Sequence, residues 1–306
     1  MSSNVGSPGR RVLAFGELLD TAVRSTRHHF VAIYPGVAIP LALAAGAMVV
    51  LQLRVFKVFL PGSEQPVPGL ADLLGGLLPF AVAFLVYVTV YSLGAMAMLA
   101  AAVASVTGID LPIGRAWAWT LRPRVAWTML LWAAAILAGT LCCIVPGVWL
   151  GIVLALVIPV MVVEQLSGGQ ALARSRALMR HNPERRFMTH PAVKLMAISL
   201  VGGLVSYAAN LAVTLPFAAV QQIMMFRTIL TNQTAQPDPA ALFQSWWMWL
   251  QVPQTVLGTL VTTAVSLFVS TAVALLYVDL RNRKEGRDLD AWLDELGAPE
   301  LPEESV

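Results

Sequence analysis

Arginine is the residue type in this sequence best placed to do chemistry, because it clusters beside apolar segments. A guanidinium group binds a phosphate or a carboxylate through two parallel hydrogen bonds. Five such arginines follow one apolar segment and three more precede others: Arg174, Arg176, Arg180, Arg185 and Arg186, then Arg24, Arg27 and Arg122. The pattern indicates binding of an anionic lipid headgroup. The alternative is that these residues only fix the orientation of the chain in a membrane.

Two acidic residues, Glu164 and Asp279, follow the fourth and the last of the apolar segments. Both precede basic residues, which predicts ion pairs with Arg174, Arg281 or their neighbours. The alternative places the two carboxylates at the cytoplasmic mouth of a site for a substrate or a metal. The four histidines show no metal-ligand spacing. The nucleophile elbow and the phosphate-binding glycine patterns are also absent from the sequence. We therefore expect no metal, no cofactor and no catalytic residues.

The composition assigns the chain to the membrane. Of its 306 residues 58% are hydrophobic and 12% are charged, whereas a soluble domain carries about 25% charged residues. Six apolar segments are long enough to span a bilayer: residues 30–53, 74–106, 126–145, 146–163, 195–223 and 246–277. We expect an all-α polytopic membrane protein with short cytoplasmic amphipathic helices. Its six-helix domain would cover residues 13–280, between a disordered leader (1–12) and a cytoplasmic tail (281–306).

The basic residues predict the orientation of this domain. Only Arg54, Lys57 and Arg227 of the 20 lysines and arginines fall on one side of the six segments. Because cytoplasmic loops are enriched in basic residues, both termini are predicted to be cytoplasmic. The net charge is only +3, so we expect no nucleic acid as a partner.

One short basic segment has the pattern of a helix at the membrane surface. The arginines of this segment lie beside and behind its apolar face. The positions that share this face are Ala171, Leu172, Ser175, Leu178 and Met179. Similar segments begin at Gly16 and Gly114, each before a pair of spans. They indicate three units of an interfacial helix plus a hairpin, although convergence on basic helices before membrane spans is the alternative. Pro146-Gly147 predicts a tight turn in the second hairpin.

The spans, as bounded here, contain hydroxyl and amide side chains but no Asp, Glu, Lys, Arg or His. This absence disfavours a proton-coupled pump. The polar side chains of the spans include Tyr87, Tyr91, Asn210, Gln254, Thr262, Thr263, Ser266 and Ser270. We expect them to form hydrogen bonds between helices. The alternative is that they line a polar groove for a substrate headgroup. Prolines inside the spans, such as Pro40 and Pro159, predict kinks rather than breaks, because neighbouring helices can satisfy the freed carbonyls.

Three stretches occur in an order and spacing that resemble a known group: GELLDTAVRSTRHHF, PGVWLGIVLALVIPVMVVEQLSGGQALARSRALMR and ALLYVDLRNRKEGRDLD. Together they are similar to the glycerophosphoryl diester phosphodiesterase membrane-domain family and related bacterial membrane proteins. The resemblance implies a six-helix domain in a bacterial cytoplasmic membrane. Some members of that family carry a phosphodiesterase barrel of about 250 residues. Residues 280–306 are too few for one, so we do not expect that activity.

Two functions follow from these patterns. The first is a non-catalytic membrane protein that scaffolds envelope or lipid-handling machinery, with anionic lipids of the cytoplasmic leaflet as partners. A protein partner would bind the apolar stripe of the C-terminal tail: Leu289, Trp292, Leu293 and Leu296. The second is a transporter or lipid-handling protein with a groove among its helices and arginines that grip an anionic headgroup. Small residues such as Ala97, Ala101 and Ala104 permit an oligomer.

Overall fold

A computed structural model describes residues 15–59, 70–180, 190–231 and 249–285. Within these ranges the chain is helical and has no strand. Several predictions from the sequence lie outside the described residues. They concern the leader (1–12), Arg185, Arg186, and the apolar stripe of the tail that begins at Leu289 and ends at Leu296.

Nine α-helices occupy the described ranges. They are α1 (Phe15–Phe59), α2 (Leu70–Thr107), α3 (Ile113–Thr120), α4 (Pro123–Cys142), α5 (Ile144–Val153), α6 (Val157–Val163), α7 (Gly169–Met179), α8 (Pro191–Thr231) and α9 (Gln251–Glu285). Six helical segments are long and apolar enough to cross a membrane: α1, α2, α4, α5 with α6, α8 and α9. The protein is therefore a multi-pass membrane protein, as the composition predicts.

The last of the described helices, α9, lies at the centre of the bundle and packs against α1, α2 and α8. In its most apolar stretch 50% of the residues are buried by protein, against 11% in α8. Tyr34 of α1 also donates a hydrogen bond from its hydroxyl to the carbonyl of Leu260 in α9, at 3.0 Å. The residues of α8 that face outward are mostly large and apolar, as a lipid-facing surface requires.

One hydrophobic cluster joins an end of each spanning segment to α3 and α7. The starts of α1, α4 and α8 and the ends of α2, α6 and α9 contribute to it. The cluster includes residues from seven of these helices: Leu18, Val103, Trp119, Val125, Val160, Leu178 and Leu280. The basic segments around Arg24, Arg122, Arg174 and Arg283 lie at or next to these same helix ends. We call this end of the bundle the basic end.

Of the three basic segments that precede hairpins, the first folds differently from the other two. α3 and α7 are short, separate helices, whereas the first basic segment continues into the span as part of α1. The 45 residues of α1 extend about 67 Å, which is roughly twice the hydrocarbon thickness of a bilayer. The expected separate interfacial helix is therefore absent from the first unit in the described residues.

The second hairpin turns at Cys143, not at Pro146-Gly147 as the sequence predicted. Cys143 is extended (φ −171°, ψ 149°) and joins α4 directly to α5. Pro146 fits inside α5 because it lies in the first turn, where a backbone N–H has no partner within the helix. Gly139 and Gly147 bring the two helices close, since a Cβ on Gly139 would lie 3.1 Å from the Cα of Gly147.

The fourth span breaks between α5 and α6 at residues 154–156. The sequence predicted a kink at Pro159, and that prediction is wrong. The helix breaks because Pro159 has no N–H to donate to the carbonyl of Ala155. The amide of Val157 turns instead to Leu154 at 3.2 Å. The carbonyl of Val153, which that amide would meet in a regular helix, accepts a hydrogen bond at 2.9 Å from the hydroxyl of Ser175 in α7.

A second proline shows how a neighbouring helix satisfies a freed carbonyl. Pro40 lies within α1 and cannot donate to the carbonyl of Gly36 four residues earlier. The indole Nε1–H of Trp117 in α3 donates to that carbonyl at 3.0 Å. α1 therefore continues through the proline, which confirms the prediction that Pro40 does not break the helix.

Candidate anion-binding site at the basic end

The apolar face of α7 packs against the protein, not against the membrane surface as the sequence predicted. The side chains of Ala171, Ser175 and Leu178 are completely buried, and Met179 is 4% exposed. They join the hydrophobic cluster at the basic end, alongside residues of α6 and α9. The face identified from the sequence is correct, but the bundle itself covers it. The opposite face of α7 is exposed and carries Arg176.

A cavity of about 1320 Å³ lies among the α4–α5 hairpin, α7, the start of α8 and the end of α9. Its basic residues come from α7 or directly after it, from just before α8, and from α9: Arg176, Arg180, His190, Arg283 and Lys284. Among the described residues that line it, none is acidic. We call this site the basic cavity. Its charges suit an anionic ligand, and an arginine there can bind a phosphate through two hydrogen bonds.

The remaining wall of the basic cavity is apolar. Trp149, Leu150 and Leu154 contribute from the fourth span, and Leu172 and Met179 from α7. Trp149 is 55% exposed and lies on the outside of the bundle, within a segment apolar enough to span a membrane. The cavity therefore combines a basic part with an apolar part that continues towards the lipid-facing surface.

Buried ion pairs hold Arg283 in the cavity wall. The Arg283 Nε donates to Asp279 Oδ1 at 3.0 Å, and Lys194 Nζ donates to Asp279 Oδ2 at 3.1 Å. The Asp279 side chain is fully buried and that of Lys194 is 6% exposed. We call these three residues the Asp279 cluster. Because removal of one partner from a buried pair leaves an uncompensated charge, the cluster ties α8 to α9 beside the cavity.

A second carboxylate, that of Glu164, is partly buried at the end of α6. Glu164 Oε2 accepts a hydrogen bond from Arg174 Nε at 2.8 Å, an ion pair that the sequence predicted. Its Oε1 accepts a hydrogen bond from the hydroxyl of Tyr277 in α9 at 2.9 Å. Glu164 thus joins α6, α7 and α9. This arrangement positions α7, and through it Arg176, at the cavity.

Two further contacts fix the ends of the helices that border the cavity. Lys284 Nζ donates to the carbonyls of Ala177 and Arg180, the latter at 3.2 Å, at the C-terminal end of α7. A cation is favourable there because the last carbonyls of a helix carry partial negative charge. At the start of α8, the His190 Nδ1 accepts the amide of Ala192 at 3.0 Å.

The structure separates the arginines that the sequence grouped as anion-binding candidates. Arg176 and Arg180 line the basic cavity, whereas Arg174 is bound to Glu164. Arg24 pairs with Asp20 at 3.3 Å on an exposed surface of α1. Arg27 and Arg122 are exposed and do not contribute to the lining of the cavity, and Arg185 and Arg186 lie outside the described residues.

Four basic residues at this site were not selected from the sequence: His190, Lys194, Arg283 and Lys284. The charged stretch DLRNRKEGR at the end of the last span was the available signal. Lys194 and Asp279 lie just outside the spans as bounded from the sequence, but inside α8 and α9, which extend beyond those bounds. Protein surrounds both side chains.

Comparison with known protein families, with curated proteins and with solved structures finds no match. The resemblance to the phosphodiesterase membrane-domain family therefore stays a prediction. Within the described ranges, no group of three or more His, Cys, Asp or Glu residues could hold a metal ion. The chemistry that the described site offers is positive charge and hydrogen-bond donors next to an apolar wall.

Proposed function

We propose that the protein is a lipid-handling membrane protein that binds the anionic headgroup of a membrane lipid in the basic cavity. The observation that supports this proposal is the union of five basic residues and an apolar wall in one cavity at the end of the membrane spans. A phosphate headgroup would meet Arg176 and Arg180. The acyl chains would lie along Leu150 and Trp149.

The guanidinium groups of Arg176 and Arg180 favour this assignment over a purely structural role. Within the described part of the chain, neither guanidinium has a hydrogen bond or an ion pair. Both side chains are exposed. A basic residue near an anionic membrane surface contributes about 1 kcal/mol of attraction, and a guanidinium inside a cavity adds directed hydrogen bonds.

The proposal includes an orientation. The basic end would face the cytoplasm, since most lysines and arginines belong to it and cytoplasmic segments are enriched in these residues. Both termini would then be cytoplasmic, in a bacterial inner membrane, as the resemblance to the phosphodiesterase membrane-domain family also implies. The scaffold function predicted from the sequence depends on the C-terminal stripe from Leu289 to Leu296, outside the described residues, and stays a prediction.

Native mass spectrometry of the protein in lipid nanodiscs tests the proposal. The discs contain phosphatidylcholine and phosphatidylglycerol in equal amounts, and the lipids that remain bound after release are counted. Wild type is expected to retain phosphatidylglycerol in preference to phosphatidylcholine. The Arg176→Gln, Arg180→Gln variant should lose this preference at least tenfold.

The matched control is the Arg24→Gln, Arg27→Gln variant. It removes the same charge from the same end of the bundle, on an exposed part of α1 away from the cavity. It should retain phosphatidylglycerol as wild type does. Equal losses in both variants would assign the preference to general surface charge and contradict a specific site. Equal retention of both lipids by wild type would also contradict it.

A further inference from the structure

A second cavity, of about 370 Å³, lies among α1, α2, α8 and α9. Its wall is formed largely by hydroxyl and amide side chains from the middle of α2 and α8 and from the first half of α9. The basic cavity involves the opposite end of α9, around Arg283. We call this second cavity the polar groove. Its volume is within the range of about 300–1,000 Å³ that is usual for small-molecule sites.

The α9 wall of the polar groove offers hydrogen-bond acceptors. Thr255, Thr259 and Thr262 follow the spacing of one helix face. Thr259 donates its hydroxyl proton to the carbonyl of Thr255 at 2.8 Å, and Thr263 donates its own to the carbonyl of Thr259 at 2.7 Å. A hydroxyl oxygen that has donated its proton still has lone pairs. Those oxygens can therefore accept hydrogen bonds from a ligand in the groove.

Asn210 of α8 is held rigidly against this wall. Its Nδ2 donates to the carbonyl of Ser206 at 3.0 Å and to the hydroxyl of Thr262 at 2.8 Å. Gly258 permits the close approach, because a Cβ there would lie 3.1 Å from Asn210 Oδ1. The expected helix-to-helix hydrogen bond is thus present for Asn210, and it sets the geometry of one side of the groove.

Three other polar side chains of the groove have no such partner. The hydroxyls of Tyr87 and Tyr91 and the amide of Gln254 make no hydrogen bond to any described residue. Polar groups at membrane depth are costly unless they are hydrogen-bonded. Internal packing therefore leaves donors and acceptors from α2 and α9 available within one cavity.

The groove's lining selects for an uncharged ligand. Among the described lining residues, none is Asp, Glu, Lys, Arg or His. A charged group would lose its hydration there without gaining a counter-charge. Hydroxyl groups fit the mixture of donors and acceptors, because each hydroxyl can both donate and accept. The two tyrosine rings add apolar surface with polar tips, which suits the alternating faces of a sugar.

We propose that the polar groove is a second binding site, separate from the basic cavity, that takes an uncharged hydroxyl-rich group within the membrane. The group is a neutral sugar, either free in solution or as the headgroup of a glycolipid. This inference does not depend on the proposed binding of an anionic headgroup at the basic end.

Two probes distinguish the two sources of the sugar. Free glucose is titrated into the protein in phosphatidylcholine nanodiscs by isothermal calorimetry. Monoglucosyl diacylglycerol is supplied in the disc, and its retention is measured by native mass spectrometry against diacylglycerol without sugar. Wild type is expected to bind at least one probe. The Tyr87→Phe, Tyr91→Phe, Gln254→Leu variant should bind it at least tenfold more weakly.

The control variant removes polar atoms from the same helices outside the groove. Thr89→Val with Tyr207→Phe does this, because both side chains are exposed and neither lines the cavity. It should bind the sugar as wild type does, as should the Arg176→Gln, Arg180→Gln variant. If the triple groove variant aggregates, Tyr91→Phe alone must still weaken binding at least twofold. Absence of binding to both probes, or equal binding by the groove and control variants, would overturn the proposal.

Discussion

The basic end and the polar groove satisfy their polar side chains in opposite ways. At the basic end, carboxylates join separate helices. Asp279 binds Lys194 and Arg283, and Glu164 binds Arg174 and Tyr277. In the groove, threonine hydroxyls bond mainly to their own helix, and the tyrosine hydroxyls have no partner among the described residues. Polar groups at the basic end therefore hold the bundle together. Polar groups in the groove can still form hydrogen bonds with a ligand.

The comparison predicts where substitutions cost stability. The largest effect is expected at the centre of the Asp279 cluster. Asp279→Asn leaves Lys194 and Arg283 without their shared carboxylate, and loss of one partner of a buried pair costs about 3–5 kcal/mol. The free energy of unfolding, measured by denaturant titration in mixed micelles, should fall by that amount.

Asp20→Asn and Asp110→Asn are the controls for Asp279→Asn. Their carboxylates are 73% and 86% exposed, and each pairs with an arginine at 3.3 Å. Exposed pairs contribute about 0–1 kcal/mol. The Lys194→Met, Asp279→Leu variant, which removes one cation together with the carboxylate, should recover part of the loss. An equal, small effect of Asp279→Asn and Asp20→Asn would show that the cluster does not hold α8 and α9 together.

The next effect is expected at the proline in α1. Trp117→Phe leaves the carbonyl of Gly36 without its hydrogen bond, because Pro40 has no N–H to replace it. An unsatisfied buried carbonyl costs about 1–3 kcal/mol. Because the contact with Gly36 is partly buried, we expect a loss near the lower end of that range. Pro40→Ala restores a donor within the helix, so Trp117→Phe should cost less in that background. A double-mutant cycle by thermal unfolding measures the difference. If the effects of Trp117→Phe and Pro40→Ala were strictly additive, the hydrogen bond from Trp117 would not compensate for the missing N–H of Pro40.

A smaller effect is expected in the polar groove. Thr262→Val removes the hydroxyl that accepts from Asn210 across α8 and α9. Interhelical hydrogen bonds in membranes average about 0.6 kcal/mol, and the free energy of unfolding should fall by a similar amount. Thr271→Val is the control, since Thr271 donates only to Leu267 of its own helix. A loss as large as that of Asp279→Asn would show that the groove also holds the bundle together.

The smallest effect on stability is expected for Tyr91→Phe. Its hydroxyl makes no hydrogen bond within the described part of the chain, and such substitutions usually change the free energy of unfolding by less than about 0.5 kcal/mol. Thermal unfolding in the same micelles measures this change. A loss above about 1 kcal/mol would mean that the hydroxyl has a structural partner and would weaken the distinction between the two regions.

The membrane architecture could be predicted from the sequence because it depends on the length and polarity of segments. Six apolar segments became six spanning helices, including one interrupted at residues 154–156. The buried face of α7 could also be predicted from helical spacing. What covers that face could not, because the same apolar stripe suits a membrane surface and a protein core equally well.

The site depended on contacts between distant segments, which no local pattern reveals. Lys194 and Asp279 are 85 residues apart, and Glu164 and Tyr277 are 113 apart. Charged residues near span ends were treated as lying outside the membrane. Lys194 and Asp279 belong to the long helices α8 and α9, and they are buried against each other. The sequence identified Arg176 and Arg180 as candidates for anion binding because arginines cluster in this segment. Only the packed structure shows that these two line the cavity whereas Arg174 pairs with Glu164.

The turn at Cys143 has a consequence for how the chain enters the membrane. The residues around it are exposed and apolar, with Leu141 at 79%, Ile144 at 72% and Val145 at 74%. A chain inserted from its basic end must carry the polar segments between α1 and α2 and between α8 and α9 through the bilayer. The α4–α5 hairpin carries no charged residue at its tip, so its two limbs can partition into lipid together, without translocation of a hydrophilic loop.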